Sequence, residues 1–480
     1  MADYLSRPIA DLAQRLADGT ITAIALAEEA IERHARHGAA LNAYKTWDAA
    51  RVRRAARAAD VALKSGGPAG PLHGLPISVK DLFGVAGYPT FAGTPTRLPA
   101  QWEREGPIIQ RLRQQAAVIT GKTHTVEFAF GGIGTNRHWG APRNPWGGAA
   151  HHISGGSSSG AGVSLGEGSA VLALGTDTGG SVRLPATFTG NVGLKTTSCR
   201  WSCEGIVPLA PTLDTPGVLA RSVADAAYGF AALDPAGPDL GAFMARLHDA
   251  TVAGLRIGLS EAFMWEDLDP GIGEAAKRAL DEVARKGARI VSFDIPEFKE
   301  SYEMHLKGSV LSVELKQFLD DELPEWKKTL DPVIQRRVED GGSISALEYI
   351  RRRRFIVEKG KAANARLAEV DVLVTPMSPL SPPRLDQVSA IDDYVRHNRK
   401  SFRFSCPVNN LGLSALTIPV GRDAAGMPVG LQLVARSFAE ERLLEVGAGF
   451  ERVLGTPRQR LGAPPLAKLP KNNTERSQSR

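Results

Sequence analysis

The stretch of residues 154–193 constrains this chain more than any other, because glycine and serine crowd around a short apolar run. Two glycine-flanked serine clusters, at residues 155–160 and 179–181, bracket the apolar residues 170–174. A short apolar run bounded by glycines is typical of a buried strand. The pattern therefore predicts a buried strand with a glycine- and serine-rich loop at each end.

The second of these loops has the residue types of an anion-binding nest. Glycine lets the backbone approach a ligand closely and adopt dihedral angles barred to other residues. Thr178, Gly179 and Gly180 could thus present several amide N–H groups in one concavity beside the hydroxyl of Ser181, whose own N–H could join them. Donors aimed where negative charge develops, next to a nucleophile, are the apparatus of acyl transfer.

A serine hydroxyl is a poor nucleophile without a base, and Lys80 is the strongest candidate for that base. Lys80 ends an apolar, strand-like run that Gly74 and Pro76 open. A lysine carried into the interior on a strand is relieved of its desolvation cost if it loses its proton. The alternative is that Lys80 stays ionised and pairs with Asp81 or Asp177.

Three segments in this order resemble the amidase signature family: ISVKD around Lys80, GGSSSG from Gly155 and GTDTGGSVRLPA from Gly175. Ser157 and Ser181 also have that family's separation of 24 residues (181 − 157 = 24). The resemblance implies that Ser181 is the nucleophile, that Ser157 follows a cis peptide bond and bridges the proton, and that Lys80 is the general base. It also implies amide hydrolysis without a metal or an organic cofactor.

Four further residues are candidates for support or substrate binding. Ser158 suits either a helix cap or a hydrogen bond to Ser157. Asp177 and Arg183 flank the nest, where an ion pair that holds the loop is the preferred interpretation, and binding of a substrate carboxylate by Arg183 is the alternative. Gly132 lies in a segment that, by resemblance, forms a loop beside the active site.

Composition excludes several other classes of protein. The 480 residues are 43% hydrophobic and 23% charged, so a large core is expected. The net charge is only +6, so a nucleic-acid partner is not expected. No apolar run is long enough to cross a membrane, and no signal peptide opens the sequence. Three cysteines (Cys199, Cys203 and Cys406) form no disulfide framework and no zinc motif, which favours the cytoplasm.

The alternation of strand and helix patterns predicts a single α/β domain with a mixed, mostly parallel sheet covered by helices on both faces. We expect this domain over residues 1–463, with N-terminal helices in 5–64, a catalytic core in 65–230 and a variable, substrate-shaping region in 294–365. The basic residues 464–480 predict a disordered tail. Family resemblance also makes a homodimer a reasonable expectation.

Two functions compete under this resemblance, and both would act on a small-molecule amide. One is a stand-alone amidase, and the other is the glutaminase (A) subunit of a tRNA-dependent amidotransferase. That glutaminase carries an aspartate for the glutamine ammonium where this chain has Phe402, and an apolar side chain cannot neutralise an ammonium. The sequence therefore favours the amidase. Ser414, where the family commonly has proline, is a further departure.

Overall fold

One continuous β-sheet passes through the part of the chain that the computed structural model describes, residues 3–67, 69–260 and 262–469. Its strands in chain order are β1 Tyr44–Trp47, β2 Pro76–Lys80, β3 Val118–Thr123, β4 Leu172–Asp177, β5 Val192–Lys195, β6 Thr215–Ala220, β7 Arg256–Leu259, β8 Arg289–Ser292, β9 Val372–Pro376, β10 Ser414–Arg422 and β11 Pro428–Ala435. In space the described strands follow the order β1-β3-β2-β4-β6-β5-β10-β11-β9-β7-β8.

The sheet is mixed, as predicted, but its centre is antiparallel. Parallel pairs join β3, β2 and β4 near one end, and β9, β7 and β8 at the other. The strands from β4 to β9 across the middle pair antiparallel, as do β1 and β3. The expectation of mostly parallel pairing therefore holds near the ends alone. A short hairpin, which only an antiparallel pair allows, joins β10 directly to β11.

Helices cover both faces of this sheet, which confirms the predicted layering. They are α1 Ile9–Ala17, α2 Ala23–Leu41, α3 Ala49–Lys64, α4 Pro107–Gln114, α5 Ser159–Glu167, α6 Arg183–Phe188, α7 Val223–Leu233, α8 Leu240–Asp249, α9 Ile272–Arg285, α10 Pro296–Leu306, α11 Val310–Glu322, α12 Pro332–Gly342, α13 Ala346–Arg366, α14 Ile391–Ser401, α15 Cys406–Asn410, α16 Glu440–Leu454 and α17 Pro457–Leu461.

Alternate residues of the central strands enter different hydrophobic clusters. In β4, Leu172 and Leu174 belong to the main core, whereas Ala173 packs with α5 and α6 on the other side. In β11, Leu433 and Val434 divide in the same way. Successive side chains of a strand point to opposite faces, so a strand buried on both faces is apolar throughout, which is the pattern of residues 170–174.

Strand β3 corrects one local prediction. The sequence predicts a strand that ends at Thr120 and a turn at residues 121–123, yet the strand continues to Thr123. The reason is a partner that the sequence did not reveal: β1, between α2 and α3, pairs with this extension, with Trp47 opposite Gly121. The predicted N-terminal helices in residues 5–64 are present, and Thr22 caps α2 by accepting from the Ala25 N–H at 3.2 Å.

Residues 294–365 consist mainly of α10, α11, α12 and α13, and their predicted role in shaping the substrate site stays a prediction. Most of the predicted disordered tail, residues 470–480, lies outside the described residues. Residues 464–469 are packed instead, because Leu466 and Leu469 join a cluster with Leu41 and Tyr44. Across the described ranges, every helix is too short or too polar to cross a bilayer.

Candidate active site

Lys80 lies at the carboxyl end of β2 with its side chain completely buried. Its Nζ donates to Ser157 Oγ at 2.7 Å and to Thr176 Oγ1 at 2.8 Å. Burial lowers the pKa of Lys80 to about 7, although the carboxylates of Asp214 and Asp177 oppose the shift. A base works best when its pKa is close to the working pH, so Lys80 can accept and return a proton at neutral pH.

The alternative ion pairs of Lys80 are not formed, because other cations occupy both carboxylates. Asp81 pairs with Lys122 at 3.1 Å between Oδ1 and Nζ, and Asp177 pairs with Arg183. Lys122 is fully buried on β3, directly beside β2. Sequence reasoning missed this residue, since it assigned residues 121–123 to a turn. The sequence signal that could have revealed Lys122 is a lysine whose side chain points inward from the strand next to β2.

Ser157 follows a cis peptide bond from Gly156, as the resemblance implied. The next residue, Ser158, occupies the N-cap position of α5, but its hydroxyl does not bond to the helix. It donates to the carbonyl of Thr176 at 3.2 Å, and its N–H donates to the carbonyl of Ser181 at 3.2 Å. Ser158 therefore joins the two serine loops to β4, with partners other than the helix N-terminus and Ser157 that the sequence suggested.

Asp177 organises the loop that carries Ser181. Its carboxylate accepts from the N–H groups of Gly180 at 2.8 Å and Val182 at 3.0 Å, and from the Asn409 side chain at 2.9 Å. Arg183 donates to it through Nε at 3.0 Å and Nη2 at 2.8 Å. Burial opposes ionisation, but the Arg183 guanidinium and these donors hold the pKa of Asp177 well below its usual range. The predicted ion pair is thus present.

The guanidinium of Arg183 is enclosed by acceptors that belong to the protein itself. The side chain is fully buried, and beyond Asp177 it donates to Gln432, to Asn409 and to the carbonyl of Ser405. The alternative prediction, that Arg183 binds a substrate carboxylate, is therefore wrong. Asn409 and Ser405 were not found from the sequence, because they approach this loop from more than 220 residues away.

The nest of N–H groups beside Ser181 differs in one member from the prediction. The Gly180 N–H is directed to Asp177 rather than outward, and a Cβ at this position, where φ is +130°, would collide with Ser405. Thr178 is held by Asp214, which accepts from its hydroxyl at 2.6 Å, and Ser405 donates to the Gly179 carbonyl. That the N–H groups of Thr178, Gly179 and Ser181 bind an oxyanion stays a prediction.

Ser157 and Ser181 are brought together through their loops rather than through their hydroxyls. Within the described residues no hydrogen bond joins the two Oγ atoms, while the backbone bond from Ser158 to Ser181 fixes one loop against the other. Catalytic hydrogen bonds are often long without substrate and tighten in its complex. Proton transfer from Ser181 to Ser157 and on to Lys80 therefore stays a prediction, and the hydrogen bond between Lys80 and Ser157 that the second transfer needs is present.

Gly132 and Phe402 form one wall of the site. The Gly132 N–H donates to Asn398 Oδ1 at 2.7 Å, and its carbonyl accepts from Gly156 N–H at 2.7 Å. A Cβ on Gly132 would collide with the ring of Phe402, and a Cβ on Gly179 would lie 3.5 Å from the same ring. The predicted loop is thus beside the active site, and an apolar ring lies next to the oxyanion loop. In the described part of the chain, no three His, Cys, Asp or Glu side chains are grouped as a metal site requires.

The family model described as amidase matches residues 25–444, so this chain belongs to the amidase family, as the resemblance implied. A chain described as an amidase has a solved structure that superposes with a TM-score of 0.82 at 30% identity, over 94% of this chain and 100% of that one. The fold and the family assignment therefore agree.

Two relatives span nearly the whole chain. A 2-amino-5-chloromuconic acid deaminase of Comamonas testosteroni is 48% identical over 95% of this chain and 98% of its own length. The (A) subunit of a glutamyl-tRNA(Gln) amidotransferase from Acidothermus cellulolyticus is 31% identical over 94% of this chain and 95% of its own. The chain is an amidase-family enzyme, and it is more similar to the deaminase than to this part of the amidotransferase.

Proposed function

We propose that this enzyme hydrolyses the C–N bond of a carboxylic acid amide to a carboxylate and ammonia or an amine, through an acyl-enzyme on Ser181. The observation that carries the proposal is the buried hydrogen bond from Lys80 Nζ to Ser157 Oγ, with an amine whose pKa is near 7. An ionised lysine paired with a carboxylate could not serve as a base at neutral pH, and Lys80 has no such partner within the described residues.

In this mechanism the Oγ of Ser181 attacks the amide carbon while its proton passes through Ser157 to Lys80. The carbonyl oxygen becomes an oxyanion, which accepts from the N–H groups of Gly179, Ser181 and Thr178. The relay then protonates the nitrogen as the C–N bond breaks, because an amide anion is a very poor leaving group. Water enters by the reverse path and releases the acid.

A second candidate is deamination of an unsaturated 2-amino acid, which the relative from Comamonas testosteroni favours by its name. In this hydrolysis a bond from a water oxygen to C2 replaces the C–N bond, and the same Lys80 and Ser157 relay would donate the proton that the departing nitrogen needs. Ammonia is the nitrogen product in this case, and it is also the product we expect from a primary amide. Ammonia release therefore serves as a common readout for both candidates.

The glutaminase of an amidotransferase remains the weaker alternative. The relatives of that kind are about as long as this chain and are 30–31% identical to it. By resemblance, that function needs a carboxylate where Phe402 lies, and here an apolar ring packs beside Gly132 and Gly179. An ammonium would gain no counter-charge from this ring.

The acyl-enzyme can be tested with hydroxylamine, which competes with water for an acyl group. Two substrates with one acyl group and different leaving amines should give the same ratio of hydroxamate to acid, because both pass through one intermediate. Ser181→Ala should abolish both products, while Ser65→Ala, at an exposed position remote from the site, should behave as wild type. Ratios that differ between the two amines, or turnover by the Ser181 variant, would refute the assignment.

The two candidate functions, amidase and deaminase, are distinguished by the substrate from which the enzyme releases ammonia most efficiently. Ammonia release from 2-aminomuconate should be compared with release from aliphatic, aryl and amino-acid primary amides under the same conditions. A kcat/KM for 2-aminomuconate far above that for every amide would establish the second candidate in place of the first.

Two further expectations stay proposals. A homodimer is supported by three exposed apolar side chains of α13, since Leu347, Ile350 and Val357 are 68%, 52% and 55% exposed. Light scattering would give the oligomeric state. A cytoplasmic location is supported by the three free cysteines, and fractionation of cells that express the protein would test it.

A further inference from the structure

The register of two central strands brings Asp214 to the loop that carries Ser181. β4 and β6 pair antiparallel, and the last pair at this end is Asp177 opposite Thr215. Continued by one residue, the same register sets Thr178 opposite Asp214. Side chains that face each other across an antiparallel pair are close enough to interact. The Thr178 hydroxyl accordingly donates to Asp214 Oδ1 at 2.6 Å.

The peptide unit between Asp177 and Thr178 is also held from its other side. The Asp177 carbonyl accepts from the Thr215 hydroxyl at 2.6 Å and from the Asn409 side chain at 2.9 Å. Because a trans peptide is planar, with its C=O and N–H directed to opposite sides, these bonds set the direction of the Thr178 N–H. The proposed mechanism directs this N–H at the oxyanion, so its orientation bears on the reaction.

Asp214 is itself held in a well-bonded loop. Its Oδ2 accepts from the N–H groups of Leu209 at 2.9 Å and Ala210 at 3.0 Å, and its own N–H donates to the Ala210 carbonyl at 2.8 Å. Between them, the Thr212 N–H donates to Glu314 on α11 at 3.0 Å. The carboxylate is therefore an acceptor whose position is fixed before any substrate binds.

The charge of Asp214 also acts on the base. Among the carboxylates that oppose the effect of burial on the pKa of Lys80, Asp214 has the largest influence, ahead of Asp177. Burial raises the pKa of Asp214 itself and Glu314 adds to this, whereas its three hydrogen-bond donors oppose the rise and favour the ionised form. Burial raises the pKa of the neighbouring Cys203 to about 12, so this thiol adds no charge at neutral pH.

We infer that Asp214 is a positioning residue for amide hydrolysis: it fixes the loop of residues 178–181 through the Thr178 hydroxyl, and it sets a negative charge near Lys80. The inference rests on the proposed function and adds a residue to the predicted site. A fixed N–H donor is of most value in the transition state, where the oxyanion forms. A negative charge near Lys80 favours the ammonium, from which the leaving nitrogen takes its proton.

The first test removes the acceptor of the Thr178 hydroxyl. With the primary amide that wild type hydrolyses best, Asp214→Ala should lower the kcat of ammonia release by about 10- to 100-fold. KM should change by less than about threefold, because the lost interaction belongs to the transition state. Asp214→Asn should stay within about 10-fold of wild type, because its amide can accept from the two backbone N–H groups and donate to Thr178.

A double-variant cycle separates this contact from a general loss of stability. Thr178→Val keeps the shape of the side chain without its hydroxyl, so kcat should fall by about 10-fold. The variant that carries both Thr178→Val and Asp214→Ala should lose much less than the product of the two single losses, since both changes remove one contact. Independent losses, or a folded Asp214→Ala enzyme with the wild-type kcat, would overturn the role of Asp214 in fixing the loop.

The pH profile tests the charge. In Asp214→Asn the rise of kcat/KM with pH should lie about one pH unit lower than in wild type, because the Lys80 ammonium loses a favourable charge. Asp225→Asn is the matched control: Asp225 is also a buried carboxylate, but it accepts from the N–H of Ile9 at the start of α1. Its profile should equal that of wild type. A rise at the wild-type pH in Asp214→Asn would overturn the role of the charge.

Hydrogen exchange separates this inference from the proposed function, because it needs no substrate. Residues 177–183 should exchange at least about tenfold faster in Asp214→Ala than in wild type, while Asp225→Asn should match wild type in this segment. If no amide is hydrolysed but this difference is found, the acyl-enzyme proposal fails and the contact between Asp214 and the loop stands. Exchange at the wild-type rate in Asp214→Ala overturns that contact's role, whatever the activity.

Discussion

At the scale of single residues, the proposed chemistry depends on one lysine whose pKa burial lowers into the range of a base. Lys80 is on a strand with no exposed residue, and the groups within hydrogen-bond distance of its Nζ are hydroxyl and carbonyl oxygens. Because these partners are neutral, desolvation is the largest influence on the pKa of Lys80, and it disfavours the charged amine. A carboxylate at the same place would have kept the amine protonated.

The first prediction concerns the pH dependence of turnover. Only the neutral amine of Lys80 can accept a proton, so kcat/KM should rise with pH through about 7 and then level off. Lys80→Ala should lower kcat by about 10²- to 10⁴-fold and remove this rise. Rates of ammonia release between pH 5 and 9 measure both effects. A variant that keeps the parental pH profile would show that another group is the base.

At the scale of elements, a short loop and a helix from a distant part of the chain build the site together. Asp177 is the last residue of β4. The loop after it folds back, so that the N–H groups of Gly180 and Val182 and the side chain of Arg183 all donate to the Asp177 carboxylate. α15 adds Asn409, which bonds to both members of the ion pair. The loop geometry thus depends on a buried network with every member satisfied.

The second prediction tests this network. Asp177→Asn leaves the Arg183 charge buried without a counter-charge, so it should lower the free energy of unfolding by about 3–5 kcal/mol. The double variant with Arg183→Gln should lose less than the sum of the single changes, since it removes both charges. Urea unfolding followed by circular dichroism measures these values.

The control for these single and double variants is the ion pair of Lys328 and Glu325 on the surface, whose side chains are 69% and 70% exposed. Lys328→Ala should change the free energy of unfolding by less than about 0.5 kcal/mol. Additive losses at Asp177 and Arg183 would mean that the two charges do not interact in the folded protein.

At the scale of the whole molecule, buried charge has a stability cost that depends on pH. The free lysine pKa is 10.5, and the folded pKa of Lys80 is about 7. Between these values the unfolded chain binds one more proton at this position than the folded chain, so stability rises with pH. The penalty for burying Lys80 is thus largest at or below pH 7 and fades toward pH 10.

The third prediction follows from this linkage. Relative to Lys80→Met, which has no group that titrates, wild type should gain up to about 1.4 kcal/mol of unfolding free energy per pH unit between pH 7 and 9. Urea unfolding at several pH values measures the difference, and Lys328→Met, at an exposed site, should show no such trend. A constant difference would mean that Lys80 stays charged in the folded state.

The sequence by itself determined the family, the layered α/β class and the positions of Lys80, Ser157 and Ser181, because these depend on local patterns. Glycines next to serines, a lysine at the end of an apolar run and a fixed spacing are all features of short segments. The apolar residues 170–174 likewise predicted a buried strand, and β4, Leu172–Asp177, begins within them and is buried throughout.

Only the tertiary structure decided which groups neighbour these residues. That Arg183 bonds to Asn409, that Lys122 pairs with Asp81 and that Ser405 donates to the Gly179 carbonyl all depend on contacts between distant segments. The antiparallel centre of the sheet is also a matter of pairing between strands. Local sequence fixes which side chains are present, but the partners of a buried polar group are chosen by packing across the whole chain.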